Sequence, residues 1–430
     1  MARLPDPRTV LAGLDLPAAS PIVAAVSGGG DSVALLLLLA RSGRANSVIA
    51  ITIDHALRPE SADEAQRVAM FCRSLGVAHR IMRWEGDKPA TGLMQAAREA
   101  RYRLLAEGAR DAGASVVLTG HNHDDRVETL LMRKRRGGAG TGLSAIAPAT
   151  LYDQRVWFLR PLLAFRRAAL RDWLSAEQVG WIDDPSNEAD RFERVRIRRD
   201  VAAMPNAVFA DASAQMVAAE RERLARAAAL AGLLARHVLA PLPGLFRLDP
   251  SFMRAEAAIE LLRVLAGLAG GLPHWPAHEK AARLHEAIAA GRGGTLGRAQ
   301  FDVRSAGIFI RRESRNMPAL GPADGLWDGR FRLAAPVAAV APWGRGAVAP
   351  TDLPDGVSPA LARAALATLP CVAEDRASLV HAKLAEPALG PWSRFLPSWD
   401  FAAAAATARL FGADAPPLAP FGLNTALGDA

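Results

Sequence analysis

Short apolar segments alternate with longer segments of helical periodicity over residues 21–135. The apolar segments have strand length and are bounded by glycine or polar residues, at 21–26, 47–53, 79–84 and 115–119. Each precedes a segment whose apolar residues recur at helical spacing, at 31–40, 61–74, 92–111 and 125–134. Repetition of strand, crossover helix and strand predicts an α/β fold with a doubly wound, mostly parallel sheet. Ligands bind such sheets beyond the carboxyl ends of the strands.

Prolines and glycines divide the rest of the chain. We expect four parts: a catalytic domain over 1–205, a helical linker over 206–244, a small α+β domain over 245–315 and a weakly defined second C-terminal domain over 330–430. The linker is predicted to hold a long Ala/Arg/Leu-rich helix from about 212 to 238. In the small domain, two strands are predicted over 295–304 and 307–311.

Composition and charge exclude several classes of protein. The longest apolar run, 33–40, is too short to cross a bilayer, and we expect a cytoplasmic protein with no membrane association and no obligate protein partner. Two cysteines, Cys72 and Cys371, are too few for a disulfide framework, a Cys-rich zinc site or an iron–sulfur cluster held by this chain alone. The net charge of +8, with only four lysines among 52 basic residues, indicates a polyanionic partner or simply an arginine-rich composition.

A glycine-rich segment, Ser-Gly-Gly-Gly-Asp-Ser at 27–32, follows the first predicted strand and opens a helix. Glycines let the backbone approach an anion closely, and a helix N-terminus favours negative charge. The spacing is neither that of a Walker A loop nor that of a dinucleotide-binding turn. The alternative is an ordinary turn in which Asp31 or Ser32 caps the helix. We favour a phosphate loop, with the nucleotide-binding residues Ser27, Gly28, Gly29, Gly30, Asp31 and Ser32.

Two further residues, Asp54 and His55, follow the second predicted strand and are expected to position the nucleotide. Beyond them, Ser61 and Glu64 have the spacing of a capping box, and that is the role we expect for them.

Three carboxylates follow the fourth predicted strand. Asp125 and Glu128 are three residues apart, and Asp124 and Glu128 are four apart, so they project to one side of a helix. Grouped carboxylates are costly unless they meet a cation, a metal or a helix N-terminus. An amine substrate would supply such a cation. A capping pair of Asp125 and Glu128, or a metal site that includes His121 and His123, is the alternative, and we assign no metal ligands.

Basic residues cluster in three places. Arg98 and Arg101 lie one turn apart on the 92–111 helix, and Arg136 opens a glycine-rich loop at 136–142. A third cluster follows a Trp-Ile-Asp-Asp-Pro-Ser-Asn segment at 181–187. On a helix, its Arg191, Arg194 and Arg198 share one face, which Arg196 does not join. Such a stripe suits a nucleic-acid backbone, while a solvated helix face is the alternative.

The glycine-rich segment resembles the pyrophosphate loop of the PP-loop ATP pyrophosphatases, whose fold is of the adenine nucleotide hydrolase type. Taken in order with the later motifs, residues 21–200 are similar to the bacterial tRNA(Ile)-lysidine synthetases. That family's pattern contains D-H-x-L-R-x-E-S, A-R-x-x-R-Y, H-x-x-D-D-Q-x-E-T, R-G-S-G-x-x-G-L, R-P-L-L, D-P-S-N and R-N-x-I-R. The present chain departs from it at Arg126 for Gln, Gly138-Ala139 for Ser-Gly and Val195 for Asn.

The resemblance implies a ligase that uses ATP, Mg²⁺, free lysine and tRNA(Ile) with a CAU anticodon. The cytidine at the first anticodon position is adenylated, and the lysine ε-amine then displaces AMP to give lysidine. By carry-over, Asp125 and Glu128 hold or deprotonate the lysine ammonium, and Arg101 stabilises phosphate charge. The residues expected to contact substrate or tRNA are Arg98, His121, Asp124, Arg136, Arg194, Arg196 and Arg198.

Other functions remain open at this point. A PP-loop tRNA thiolase also adenylates a base, but it would need sulfur-handling cysteines. An amide-forming synthetase for a metabolite would leave the basic segments and the additional domains without a role. A non-catalytic RNA-binding module would be expected to lack Asp31 or the Asp125 and Glu128 pair.

Overall fold

The computed structural model describes residues 6, 10–11, 13–16, 20–182, 193–323, 325–372 and 378–420. The chain forms two compact units. The first runs to Arg223 and includes Pro397–Trp399 and the residues from Pro417 onward. The second consists of Leu224–Leu396 and Asp400–Pro416. The four domain boundaries proposed from the sequence stay a prediction.

The first unit contains strands and helices in alternation. In chain order they are β1 Ile22–Ala25, α1 Gly30–Leu39, β2 Val48–Asp54, α2 Ser61–Ser74, β3 Ala78–Arg83, α3 Leu93–Asp111, β4 Val116–Thr119, α4 His123–Arg135, β5 Ala149–Tyr152, β6 Val156–Leu159, α5 Arg167–Ala176 and α6 Glu193–Ala202. The long helix α7, Asn206–His237, starts here and continues into the second unit. Most of these bounds lie within two residues of the predicted ones.

Six strands of this unit lie in the order β5-β6-β4-β1-β2-β3. All neighbouring pairs are parallel except β5 and β6, which are antiparallel. The central strands β1 and β4 are buried along their whole length, because they are apolar and covered on both faces. The predicted α/β fold with a mostly parallel, doubly wound sheet is therefore confirmed. The strand order reverses between β1 and β4, and ligands of such sheets bind at that point.

Helix α1 accounts for the longest apolar run of the sequence. Its residues from Ser32 to Leu39 are all buried, since the helix packs between the sheet and α5. An apolar helix with no polar face is typical of the interior of a protein. No helix in the described parts of the chain has the length and apolar character needed to span a membrane.

The second unit contains three sheets and four helices in its described residues besides the end of α7. Its strands are β7 Val238–Leu242, β8 Leu245–Leu248, β9 Gly294–Leu296, β10 Ala299–Arg304, β11 Gly307–Arg312, β12 Gly321–Ala323, β13 Leu326–Trp327, β14 Phe331–Leu333, β15 Val337–Pro342, β16 Pro370–Val372 and β17 Ala385–Pro387. Strand β18, Phe395–Pro397, crosses the boundary of the units. Its helices are α8 Ala258–Gly270, α9 His278–Ala289, α10 Pro359–Leu366 and α11 Phe401–Phe411. The largest sheet has the order β7-β8-β11-β10-β9 and is antiparallel.

Two predictions of element bounds are wrong for physical reasons. The strand predicted over 295–304 is two strands, because Gly297 and Arg298 both adopt positive φ, 57° and 64°, and form a tight hairpin turn. The long helix begins about six residues earlier than predicted. The carbonyl of Pro205 accepts its first hydrogen bond, from the amide of Phe209 at 3.0 Å.

Candidate active site

The predicted phosphate loop connects β1 to α1 and is organised by the hydroxyl of Ser32. This Oγ accepts a hydrogen bond from the Ser27 amide at 3.1 Å and donates one to the Gly29 carbonyl at 2.8 Å. Among the described residues no side chain caps α1, whose N-cap residue is Gly29. The capping alternative for Asp31 and Ser32 is therefore wrong. The first amides of α1 can face an anion beyond the sheet edge.

Two glycines allow the loop its close approaches. A Cβ at Gly28, where φ is +89°, would lie 2.7 Å from the Ile182 side chain, and the Gly28 carbonyl accepts a hydrogen bond from the Ile182 amide at 2.9 Å. A Cβ at Gly120, after β4, would lie 2.7 Å from the Asp31 carbonyl oxygen. The chain thus needs glycine at position 28 to pass Ile182, and at position 120 to lie against the start of α1.

Asp31 lies at the start of α1 with one carboxylate oxygen unsatisfied. Its Oδ1 is buried and no donor in the described structure meets full hydrogen-bond geometry with it, although the Asn122 amide is close enough to lower the pKa of Asp31, while Oδ2 lies 3.4 Å from Arg167 Nε. Burial raises the pKa of Asp31, and the Arg167 guanidinium partly offsets this effect. A lone carboxylate oxygen beside a phosphate loop fits Mg²⁺, which usually takes one or two carboxylates together with substrate phosphates and water. The described residues hold no cluster of three or more potential metal ligands.

Asp54, at the end of β2, is held by hydrogen bonds from residues that follow it in the chain. Asp54 Oδ1 accepts hydrogen bonds from the Ser61 hydroxyl at 2.7 Å and the Ala56 amide at 2.8 Å. Although burial raises the pKa of Asp54, these hydrogen bonds lower it below its usual value. The predicted capping box of Ser61 and Glu64 is wrong, because Ser61 bonds Asp54 instead, and no side chain caps α2.

His55 lies next to Asp54, with its ring edge-on to Trp84 at 6.0 Å between centroids. Burial, with the nearby Arg101, lowers the pKa of His55. Its Nδ1 is buried and has no partner in the described structure. An uncharged ring nitrogen at the end of β2 can accept or donate a hydrogen bond to a nucleotide.

Helix α4 begins with a capping box that fixes Asp125. The Asn122 side chain accepts from the Asp125 amide at 3.0 Å, and Asp125 Oδ2 accepts from the Asn122 amide at 3.0 Å. The capping partner of Asp125 is thus Asn122 rather than Glu128, and Asp125 Oδ1 faces other groups. Asp124 accepts from the Arg167 amide at 2.8 Å and from Arg166 Nε at 3.2 Å.

Asp125 and Glu128 lie side by side, as their spacing predicts, and arginines satisfy them. Arg167 donates to Asp125 Oδ1 and to Glu128 Oε1, both at 2.9 Å. Arg194 donates to Asp125 Oδ1 and Glu128 Oε2, both at 3.0 Å. Arg198 Nε lies 3.2 Å from Glu128 Oε1. Glu128 is fully buried, and a buried carboxylate needs such partners.

A second, cationic group lies just beyond the end of β4 and in the first half of α3. His121 Nδ1 lies 2.9 Å from the Thr119 hydroxyl, and the Tyr102 hydroxyl accepts from Arg160 at 3.1 Å and from Arg98 at 3.4 Å. Burial, followed by the charges of Arg160 and Arg101, lowers the pKa of His121 well below its usual value. Burial also lowers the pKa of Arg101, to which no described residue offers a hydrogen bond or an ion pair. The charge of Asp125 acts on Arg101 in the opposite sense and raises its pKa again in part.

The remaining predicted residues lie on the surface near α6. Arg136 forms an exposed ion pair with Glu193 at 2.5 Å, and Arg196 is exposed. Arg194 and Arg198 share a face, as predicted, but the structure places them on Glu128 rather than in an open basic stripe. Arg191 and the Asp-Pro-Ser-Asn segment lie outside the described residues.

The sequence reasoning did not single out Arg166 and Arg167, which follow the Arg-Pro-Leu-Leu segment. Arg167 is the residue that contacts Asp31, Asp125 and Glu128 at once. Its pKa is raised, because the carboxylates outweigh the effect of burial. The only local signal is a pair of adjacent arginines next to a motif.

Comparison with known proteins tests the family assignment. The family model of the PP-loop domain matches residues 9–204. A tRNA(Ile)-lysidine synthase of Mesorhizobium japonicum is 44% identical to this chain, over 94% of it and 95% of the relative. Another, of Rhizobium meliloti, is 41% identical over 93% of each chain. The chain belongs to the tRNA(Ile)-lysidine synthase family. The resemblance drawn from the motifs is therefore confirmed.

Membership in the tRNA(Ile)-lysidine synthase family makes the chain an enzyme, and the predicted ligase class fits. The PP-loop domain implies ATP binding. Among solved structures, a U34-tRNA thiolase from Methanococcus maripaludis covers 50% of this chain, with a TM-score of 0.42 and 16% identity. The roles of the individual site residues stay predictions.

Proposed function

We propose that the enzyme joins free lysine to C2 of the cytidine at the first anticodon position of tRNA(Ile) in two steps. In the first, the C2 carbonyl oxygen attacks the α-phosphorus of ATP, an O–P bond forms, and pyrophosphate leaves. In the second, the lysine ε-amine attacks C2, the C–O bond to the adenylate breaks, AMP leaves, and the amine loses a proton. The products are lysidine, AMP and pyrophosphate.

One observation carries the proposal: Arg167 joins a phosphate loop to an anionic pocket. Its Nε lies 3.4 Å from Asp31 on the loop, and two other nitrogens contact Asp125 and Glu128. A nucleotide on the loop and a cation between the carboxylates would therefore lie beside each other. Ligation of an amine at the expense of ATP requires that proximity.

The nucleotide side of the site is built from backbone amides and one carboxylate. Ser27 to Ser32 would receive the pyrophosphate part of ATP at the N-terminus of α1. Asp54 and His55, at the end of β2, would position the rest of the nucleotide. Asp31 Oδ1 would hold Mg²⁺, which offsets the negative charge of the phosphates when bound.

Arg98 and Arg101, which lie near the neutral His121, suit a developing negative charge. The charge of Asp125 acts on Arg101 but no ion pair joins Arg101 to a described residue, so we propose that its charge stabilises the phosphate that is being attacked. His121, whose pKa is held well below its usual value by burial and the nearby arginines, stays neutral near pH 7 and can accept a hydrogen bond there.

We propose that the lysine amine binds between Asp125 and Glu128. In the present structure arginine side chains occupy this position. Three carboxylates, including Asp31, face three guanidinium groups, from Arg167, Arg194 and Arg198. An ammonium group can enter only if one guanidinium leaves. Arg194 is the most exposed of the three, at 42%, and we propose that it is the group displaced. The displaced Arg194, with Arg136, Arg196 and Arg198, would then contact the tRNA backbone.

The parts of the chain beyond α6 would contact the body of the tRNA. We propose this role for the α+β domain predicted over 245–315, because its 11 basic and 7 acidic residues give it a net charge of +4, which suits a polyanionic substrate. Because the proposed substrates, tRNA and free lysine, are found in the cytoplasm, we propose that the enzyme acts there.

The test is an incubation of the full chain with ATP, radiolabelled lysine and a tRNA(Ile) transcript with a CAU anticodon. We expect label in RNA, with one AMP formed for each lysine joined. The control transcript carries uridine at the first anticodon position and should stay unlabelled. ATP hydrolysed to ADP, with no label in RNA, would defeat the proposal.

A thiolase reaction is disfavoured by the two cysteines. Both are buried, and burial raises the pKa of Cys72 to about 11. A sulfur carrier needs an accessible thiolate.

A further inference from the structure

Arg126, which stands where the family pattern has Gln, forms a buried ion pair with Glu220 of α7. Arg126 Nη2 lies 2.5 Å from Glu220 Oε1, and the two side chains are 14% and 2% exposed. Arg126 thus pairs with Glu220 and not with the neighbouring Asp125 or Glu128. The departure from the family pattern has its partner 94 residues away in the sequence.

Each charge of this buried pair would be unfavourable without the other. Burial raises the pKa of Glu220, and the positive charge of Arg126 opposes this effect. Breaking a buried pair by removing one partner is strongly destabilising, because the other charge is left without compensation. Replacing both charges by neutral groups of similar size avoids that cost.

Other contacts join the same face of α4 to α7. His123 Nε2 lies 2.8 Å from the Ser213 hydroxyl, and the His123 ring packs on Phe209 with centroids 5.1 Å apart. Below them, Val127 and Leu130 of α4 pack in one apolar cluster with residues of α6 and α7. The opposite face of α4 carries the carboxylates, so the position of α4 on α7 decides where they point.

We infer that Arg126 and Glu220 are positioning residues for the amine site. Their ion pair fixes α4 on α7 and so aims Asp125 and Glu128 at the incoming lysine. The inference rests on the proposed function, because it assigns the amine to those carboxylates. Neither residue touches the substrate. Loss of the pair should therefore change how lysine is held and leave the phosphate loop as it is.

The experiment is a double-mutant cycle on the full chain with Arg126→Gln, Glu220→Gln and the double variant. Each single variant should raise the KM for lysine at least fivefold, with the KM for ATP within twofold of wild type. The double variant, with no unpaired charge, should return the KM for lysine to within about threefold of wild type. Arg103→Gln, which breaks the exposed Arg103–Glu107 pair on α3, is the matched control and should change neither constant.

Each outcome decides the inference. Wild-type KM for lysine in both single variants would overturn it, as would a double variant no better than the singles. A rise in both KM values together would indicate a general loss of structure and would also overturn it. Should Arg126→Gln not fold, Arg126→Lys replaces it, with a KM for lysine expected above wild type. If the wild-type enzyme transfers no lysine to RNA, the proposed function fails, a result separate from all of these.

Discussion

Arg194 Nε lies 3.0 Å from Glu128 Oε2, and Arg194 Nη2 lies 3.0 Å from Asp125 Oδ1. A single guanidinium therefore bridges both carboxylates that we assign to the lysine amine. Guanidinium and ammonium groups compete for the same oxygens. If lysine binds these carboxylates, as we propose, it must first break the two charge-assisted hydrogen bonds of Arg194.

Replacing Arg194 by Ala should tighten the binding of lysine to the enzyme without RNA. The variant leaves three carboxylates facing two guanidinium groups, which favours an additional cation. Because Arg194 is partly exposed, we expect a modest change of about fivefold in Kd, roughly 1 kcal/mol. Isothermal titration with lysine measures it. Arg199→Ala, on the exposed side of the same helix, is the control, and weaker binding by Arg194→Ala would contradict the competition.

Replacing Asp31 by Asn should abolish the first chemical step. The amide keeps the size of the side chain but removes the charge that would hold Mg²⁺ beside the phosphate loop. Formation of AMP and pyrophosphate in the presence of tRNA should fall at least about 100-fold. Asp63→Asn, an exposed change on α2, should retain full activity. An Asp31→Asn enzyme that keeps more than a tenth of the activity would exclude this role.

Replacing Gly120 by Ala should displace the phosphate loop. The added Cβ would lie 2.7 Å from the Asp31 carbonyl oxygen and 3.0 Å from the Ser32 amide, and both atoms belong to the backbone. We expect a loss of about 1–3 kcal/mol in stability. Nucleotide titration should show weaker ATP binding. Gly180→Ala, where no atom lies within 4 Å of the added Cβ, is the control. Unchanged ATP affinity in Gly120→Ala would refute the close approach.

The stability of the protein should fall as the pH drops from about 6.5 towards 4. Burial lowers the pKa of His123 to about 4 and that of His121 well below its usual value. In this range the unfolded chain binds protons that the folded chain does not, so protonation favours unfolding. His123→Gln should flatten the pH dependence of the unfolding midpoint, whereas His274→Gln, at an exposed position, should not. Equal slopes in wild type and His123→Gln would count against a buried neutral imidazole.

The features that the sequence predicts correctly depend on residues that are close together in the chain. The phosphate loop depends on glycines and a helix start that are adjacent along the chain, and the common side of Asp125 and Glu128 follows from helical spacing alone. The expected common face of Arg194 and Arg198 is also present, since both reach Glu128. Helical spacing does not indicate that Glu128 is the partner of Arg194 and Arg198.

The remainder depends on pairs that are distant in the chain. Arg167 meets Glu128 across 39 residues, and Glu220 meets Arg126 across 94. The spacing of Ser61 and Glu64 predicted a local cap, but Asp54 accepts the Ser61 hydroxyl because the fold brings the end of β2 there. Such contacts arise from how helices pack on the sheet, and no short segment encodes them.

The most direct test of the account separates its two chemical steps in the variant Glu128→Gln. If Glu128 serves the amine and not the nucleotide, the variant should still transfer the adenylate from α-labelled ATP to tRNA(Ile), while lysine attack slows. Rapid-quench sampling under single-turnover conditions should then show labelled RNA accumulating, with lysine transfer reduced at least about tenfold. Loss of RNA labelling to the same extent as lysine transfer, or lysine transfer at the wild-type rate, would contradict the assignment.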